Sequence, residues 1–200
     1  LAIVPVAAVT TLSLHSAQQI SRADKLAQLG SSVFEKQVAL DVWISDRERE
    51  VVRLASLIDD VWAPEATPAD SVRIGAQLAS WTTAHGPFIT LDVIDPDSGE
   101  VTSITQPNDI GKFRNSRDYF QHGTTRSYLN TPFYDMTTQR IEMVVSAPIR
   151  SEGGPLRGVL AGKINLARMS QIVTRQMNEV SDIDLKLIAR SRLFVAGHEG

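Results

Sequence analysis

Leu156-Arg-Gly-Val-Leu-Ala-Gly-Lys-Ile-Asn165 is the stretch on which the fold depends. In a strand, Leu160 and Ile164 of this stretch would point to one face of the sheet, and Val159 and Ala161 would point to the other. Successive side chains of a strand point to opposite faces of its sheet, so a strand with one wet face alternates between apolar and polar residues. We therefore predict a strand that is covered on both faces, by a long helix on one side and by residues 107–134 on the other.

Four further strands are predicted around this one, from stretches rich in β-branched and aromatic residues. Short segments of turn-forming residues join them, and short connections imply antiparallel neighbours. With a short helix at 166–178 and a further strand at 183–195, the order of elements indicates an α+β domain with a five-stranded antiparallel sheet. The four strands are residues 88–94, 100–106, 126–134 and 140–149.

A long helix is predicted N-terminal to the sheet, at residues 15–62. Apolar residues recur there at three- and four-residue steps, and the charged stretch 46–50 is typical of a solvated face. A helix of about 45 residues is about 65 Å long at 1.5 Å per residue, which suits a stalk better than an ordinary globular element. Two helices broken near Ser31 and Ser32 are the alternative.

The first fourteen residues, LAIVPVAAVTTLSL, carry no charge, and the first charged residue is Arg22. A helix that crosses a membrane needs about 20 apolar residues. We therefore expect residues 1–14 to be the outer end of such a helix. A buried core helix and the apolar region of a signal peptide are the alternatives.

Composition and motifs argue against several classes of function. The net charge of −3 gives no reason to expect a nucleic acid partner, and the chain has no cysteine. The common nucleophile, zinc-protease and nucleotide-binding motifs are absent, and the four histidines lack the spacing of metal ligands. The acidic turn 95–99 lacks the later ligands of a calcium loop. We predict no catalytic residues, no metal and no cofactor.

Aromatic and charged residues concentrate between positions 117 and 135. All three tyrosines of the chain and two of its six phenylalanines lie there. Rings that wall a site, with charges that fix polarity, are typical of sites for small polar ligands. Alternatively, the rings plug the sheet face and Arg117 pairs with Asp118 or Asp135. The candidate residues are Arg117, Tyr119, Phe120, Tyr128, Phe133, Tyr134 and Asp135.

Several of these segments together resemble the double Cache domains, the PAS-like extracytoplasmic sensor domains of bacterial receptors. The resemblance covers roughly residues 15–180, and its order and spacing agree throughout. Its most specific pieces are SRDYF at 116–120, APIR at 147–150 and GVLAGKI at 158–164. Ile110-Gly111, Thr131-Pro132 and Leu166 also fit.

The resemblance implies a division of the chain into four parts. They are the end of a transmembrane helix (1–14), a stalk helix (15–66), a membrane-distal ligand-binding domain (67–180) and the start of a second, truncated module (181–200). The parent would be a sensor histidine kinase or a diguanylate cyclase in the bacterial inner membrane, with this non-enzymatic domain in the periplasm. A small-molecule ligand and a homodimer formed through the stalk are the implied partners. A module that only dimerises or spaces the receptor is the alternative.

The resemblance also implies roles for individual residues. In members that bind amino acids, an arginine and two aromatic residues on the short helix contact the ligand, which corresponds here to Arg117, Tyr119 and Phe120. A further aromatic residue and a carboxylate correspond roughly to Tyr134 and Asp135. The closing strand usually supplies an aspartate for the ligand's ammonium, and this sequence departs from the pattern with Lys163.

Lys163 bears on the expected charge of the ligand. It shares the alternation of Val159 and Ala161, and residues 107–165 contain eight basic and five acidic residues. A lysine facing the site would repel a ligand ammonium, so these features favour a small mono- or dicarboxylate over an amino acid. Two alternatives remain open: Lys163 extends to water from the strand end, or Asp135 pairs with it and leaves a neutral site.

Overall fold

The computed structural model describes residues 3–61, 68–82, 86–105, 107–136, 138–151, 153–174, 186–188 and 194–197. Its helices are α1 (Ile3–Val61), α2 (Pro68–Trp81), α3 (Asp118–Gly123) and α4 (Leu166–Thr174), with a 3-10 turn at Pro107–Asp109. Its strands are β1 (Phe88–Ile94), β2 (Val101–Ile104), β3 (Tyr128–Leu129), β4 (Phe133–Asp135), β5 (Arg140–Glu142), β6 (Val144–Ile149), β7 (Gly158–Ile164), β8 (Lys186–Ile188) and β9 (Phe194–Gly197).

Five of the strands form the antiparallel sheet that the sequence predicts. Their spatial order is β2-β1-β7-β6-β3, so β7 lies in the middle, hydrogen-bonded to β1 and β6. All of β7 is buried except Lys163, which is partly exposed. The α+β class, the five-stranded sheet and the long N-terminal helix are confirmed.

Both faces of β7 are covered, as its apolar residues predict. Tyr119 and Phe120 of α3 pack with Val159 and Ala161 on one face. On the other face, a Cβ atom at Gly162 would lie against the Phe88 ring and a methyl group of Leu91. The apolar side chains on this face are buried. They are Leu91, Val93, Val145, Leu160 and Ile164.

The prediction of a single strand at 126–134 is wrong. The chain forms β3 in the main sheet and then β4, which pairs with β5 in a separate two-stranded sheet. Pro132 lies between β3 and β4, and because proline has no N–H it cannot continue the hydrogen-bond ladder. The predicted strand 140–149 is also two strands: β5 lies in the two-stranded sheet, and β6, which begins after Met143, lies in the main sheet.

Helix α1 is continuous across Ser31 and Ser32, so the long helix is confirmed and the broken alternative is wrong. The chain separates into two compact units, one ending at Asp41 and the other beginning at Val42. Within the part of the chain that the structure describes, no helix carries an apolar stretch long enough to cross a bilayer. The proposed boundary at 66 and most of segment 181–200, apart from β8 and β9, lie outside the described residues.

The last turns of α1 belong to the second unit and join its core. Val51, Leu54 and Ile58 recur on one side of the helix and are almost fully buried. The next residue, Asp59, accepts a hydrogen bond from the Ser151 hydroxyl at 2.5 Å and pairs with Arg157 at 3.5 Å. These contacts join the end of α1 to the connection between β6 and β7.

Candidate functional site

Helix α3 lies across the sheet and positions the aromatic residues of the site. It begins after Arg117, whose backbone is extended, and Asp118 places a negative charge in its first turn, where the helix dipole favours one. Tyr119 and Phe120 then fall on the buried side. They pack against apolar side chains of the sheet, which are Ile94, Val101, Val144, Val159 and Ala161.

One end of α3 is pressed directly onto the sheet. The Ser146 hydroxyl, fully buried on β6, donates to the backbone carbonyl of Tyr119 at 2.6 Å. A Cβ atom on Gly123 would lie 2.7 Å from Ser146 Oγ and 2.8 Å from Val159 Cγ1. Helix and sheet are therefore closely packed beside Ser146 and Val159.

The predicted aromatic residues occupy different depths. Tyr119 and Phe120 are buried, whereas Tyr128 and Phe133 are half-buried and pack against the same apolar cluster. The Tyr128 ring lies 4.4 Å from the His122 ring, centroid to centroid. Tyr134 is 48% exposed, since it alternates with Phe133 along β4. The structure therefore brings four of the five predicted rings together and leaves Tyr134 on the surface.

The predicted charged residues lie at the edge of this cluster. Arg117 is exposed, and its guanidinium carbon lies 5.9 Å from the centre of the Phe133 ring, within the range of a cation–π contact. Asp135 is half-buried at the end of β4 and accepts a hydrogen bond from the Thr138 N–H at 3.1 Å. Arg117 is thus an accessible cation above an aromatic wall.

Lys163 lies on the α3 side of the sheet, directly across from Thr90 and Val144. Its ammonium is 3.1 Å from the carboxylate of Glu142 on β5, and both side chains are mostly buried. The partner of Lys163 is therefore Glu142 and not Asp135. Because this pairing neutralises Lys163, the lysine no longer supports an anionic ligand.

A second set of paired charges lies on the loop before α3. The Arg114 guanidinium is 3.1 Å from Asp109, and the Lys112 ammonium contacts the same carboxylate. Burial raises the pKa of Asp109, but the hydrogen bond and charge of Lys112, with the charges of Arg114 and Lys163, hold that pKa below its usual value. Asp109 is consequently an ionised partner for both cations.

Asp92 is the residue of the site that sequence reasoning missed. It lies on β1 opposite Ala161, is 4% exposed, and its Oδ1 atom has no hydrogen-bond partner among the described residues. Burial raises its pKa to about 7, although the charges of Lys163 and Arg114 lower it. The nearby Thr90 hydroxyl lowers this pKa least, and no hydrogen bond joins the Thr90 and Asp92 side chains. One signal was present in the sequence: a lone carboxylate in the otherwise apolar strand FITLDVI.

Tyr119 connects Asp92 to the aromatic cluster. Burial raises the pKa of its hydroxyl to about 12; the charge of Asp92 adds to this effect, while Arg114 and Arg117 oppose it. The hydroxyl therefore stays neutral at physiological pH and can donate a hydrogen bond. Rings, a neutral donor, an accessible guanidinium and a buried carboxylate together form an arrangement suited to binding a small polar molecule.

No protein-family model matches the sequence, and a search of curated proteins gives no match either. Solved structures do match. The ligand-binding domain of the Pseudomonas aeruginosa PAO1 amino acid chemoreceptor PctC, in complex with GABA, has 21% identity and a TM-score of 0.63, and the match covers 86% of this chain and 76% of that one.

Two more chemoreceptor ligand-binding domains are similar. That of Campylobacter jejuni Tlp3, in complex with 4-methylisoleucine, has 14% identity, a TM-score of 0.66, and coverage of 84% of this chain and 67% of that one. That of Pseudomonas fluorescens CtaA, in complex with L-isoleucine, has 18% identity, a TM-score of 0.57, and coverage of 80% and 63%. The chain thus has the fold of these sensor domains, which confirms the resemblance to the Cache fold.

Proposed function

We propose that this chain is the extracytoplasmic small-molecule-sensing domain of a bacterial transmembrane signalling receptor. The observation that carries the proposal is a set of rings over the sheet, Tyr119 and Phe120 on α3 and Phe133 on β4. The sheet face below them contains buried polar atoms that have no hydrogen-bond partner among the described residues. The fold, shared with chemoreceptor ligand-binding domains, supports the same function.

The proposed ligand is a small molecule with a carboxylate, and Arg117 is its proposed partner. A guanidinium binds a carboxylate through two parallel hydrogen bonds, and Arg117 is exposed beside the ring of Phe133. The similar structures contain GABA and amino acids, all of which carry a carboxylate. Tyr119, Phe120, Tyr128 and Phe133 are proposed to wall the site, with Asp135, Tyr134 and Lys163 at its margin.

Signal transmission is proposed to run from the site to α1. A ligand that binds one arrangement of α3 more tightly than another shifts the population toward it, and its difference in affinity limits the shift. The contact of Asp59 with Ser151 gives the sheet a direct connection to the last turns of α1. We further propose a membrane anchor at residues 1–14, a periplasmic location, and a histidine kinase, diguanylate cyclase or chemoreceptor as the parent.

A spacer module that only dimerises is the second candidate, because α1 exposes apolar side chains. Four of these side chains lie in the first unit, between positions 26 and 38, and each is at least 44% exposed. Exposed apolar residues at helical spacing are suited to pairing with a second helix. They are Leu26, Val33, Phe34 and Val38.

Thermal melting of the chain with a panel of carboxylates, amino acids, amines and purines tests the proposal. A ligand at 100 times its dissociation constant is expected to stabilise the protein by about 2.7 kcal/mol. Arg117→Ala should weaken binding of a carboxylate about tenfold or more, since it removes a charge-assisted hydrogen-bond partner. Arg126→Ala, which removes an exposed arginine just after α3, is the matched control and should leave binding unchanged.

The spacer function would be favoured by a different result. In that case no compound shifts the melting temperature, and a polar substitution such as Phe34→Glu lowers self-association in analytical ultracentrifugation. A ligand that binds Arg117→Ala and the unaltered chain equally well would remove Arg117 from the site.

A further inference from the structure

The charges nearest to Asp92 are already neutralised by other residues. Lys163 is held by Glu142 at 3.1 Å, and Arg114 is held by Asp109 at 3.1 Å. Asp92 makes neither contact, and its Oδ1 atom is buried without a hydrogen bond. A buried carboxylate in this position needs either a proton or a cation from outside the protein, because an unpaired buried charge is costly.

A second buried polar atom without a partner lies close to Asp92. Thr90 is two residues earlier on β1 and therefore faces the same side of the sheet, and its Oγ1 atom has no hydrogen-bond partner among the described residues. Directly across from Asp92 on β7 is Ala161, whose methyl side chain offers the carboxylate no polar partner. The Thr90 and Asp92 oxygens thus lie on one face of the sheet as buried acceptors to which none of the described residues donates a hydrogen bond. Buried polar atoms in proteins usually have a partner, so a donor from outside the protein would complete this pair.

We propose that Asp92 is a ligand-binding residue that takes a primary ammonium group, with Thr90 as a second acceptor. An ammonium has three N–H donors and no acceptor, which matches a carboxylate oxygen and a hydroxyl oxygen that both lack donors. The inference rests on the proposed sensing function and narrows it. With Arg117 taking the carboxylate, the ligand is a small amino-substituted carboxylate.

Binding of an ammonium releases a proton from Asp92, because the positive charge favours the ionised carboxylate. The Asp92 proton goes to the buffer, and the ammonium keeps its own three hydrogens. Because burial raises the pKa of Asp92 to about 7, the carboxyl group is partly protonated at pH 7, and binding should release a fraction of a proton per ligand. The charged and titratable groups near Asp92 are Lys163 on β7, Arg114 and Asp109 before α3, and Tyr119 on α3.

Isothermal titration calorimetry with matched pairs of compounds tests the inference. The pairs differ only in the amino group: 4-aminobutyrate and butyrate, L-alanine and propionate, L-valine and 3-methylbutanoate. We expect at least one amino compound to bind more than tenfold tighter than its partner. Its measured binding enthalpy should depend on the ionisation enthalpy of the buffer, with the sign that proton release requires.

Asp92→Asn keeps the shape of the side chain and removes its charge. It should weaken binding of the amino compound at least tenfold and abolish proton release, and Thr90→Val should weaken binding by a smaller factor. Asp97→Asn, the same change at an exposed carboxylate in the β1–β2 turn, is the control and should alter neither quantity. Circular dichroism establishes that each variant is folded.

Two outcomes separate this inference from the proposed function. If butyrate, propionate or 3-methylbutanoate binds as tightly as its amino partner and Asp92→Asn leaves affinity unchanged, Asp92 is a buried protonated acid and the inference fails while sensing stands. If no carboxylate of either kind binds the folded chain, the proposed sensing of small carboxylates fails, and the inference fails with it.

Discussion

Asp92→Asn is expected to raise the free energy of unfolding of the unliganded protein by about 4 kcal/mol at pH 8. The pKa of Asp92 is raised from 3.8 to about 7 in the folded protein, chiefly by burial. Each pKa unit corresponds to about 1.4 kcal/mol of preference for the protonated form. Above pH 7 the folded protein must therefore carry a buried carboxylate at a cost that asparagine avoids.

The direction of the pH dependence follows from proton binding. Between pH 4 and pH 7 the folded protein holds the Asp92 proton while the unfolded chain releases it, so stability falls as pH rises. The difference between Asp92→Asn and the unaltered protein should therefore be near zero below pH 4 and fully developed above pH 7. The lowered pKa values of Asp95 and Asp109 affect both proteins alike and act below this window.

Urea unfolding of both proteins across pH 4 to 8 measures this difference. Asp97→Asn serves again as the control and should follow the unaltered protein at every pH. A loss of stability in Asp92→Asn at pH 8 would contradict the prediction, because it would mean that the ionised carboxylate is stabilised by Lys163 or Arg114 more than burial penalises it.

Gly123→Ala is expected to lower the free energy of unfolding by about 2 to 3 kcal/mol, as overpacking a tight contact does. The added Cβ would meet Ser146 Oγ at 2.7 Å and Val159 Cγ1 at 2.8 Å, so α3 must lift from the sheet. Lifting α3 also strains the hydrogen bond from the Ser146 hydroxyl to the Tyr119 carbonyl. Chemical unfolding measures the loss, and ligand affinity should fall with it.

Gly30→Ala is the matched control for this substitution. Gly30 lies within helix α1, and a Cβ atom there would meet nothing within 4 Å. Alanine is favoured over glycine in an open helix by about 1 kcal/mol, so this variant should be no less stable than the unaltered protein. Equal stability of Gly123→Ala and Gly30→Ala would show that α3 is not seated as tightly as its contacts indicate.

The sequence predicted the covered sheet because that property is local. The apolar residues on both alternations of β7 indicate two covered faces, and the turn residues at 95–99 indicate a hairpin. Pro132 is also visible in the sequence, but a proline does not show which sheet the following strand joins, and here β4 pairs with β5 in a second sheet. That change of sheet exposes Tyr134 and brings Glu142 beside Lys163.

The sequence by itself determined the class of fold and the central strand, because the alternation of apolar and polar residues fixes which side chains share a face of the sheet. It also determined which aromatic residues are available to the site. Only the tertiary structure decided which charges are neutralised. Lys163 pairs with Glu142 from β5, and Arg114 pairs with Asp109, whereas the buried Oδ1 atom of Asp92 has no partner in the part of the chain that the structure describes. The reason is physical: a charge is satisfied by its nearest neighbours in space, and these neighbours come from strands and loops that are distant in sequence.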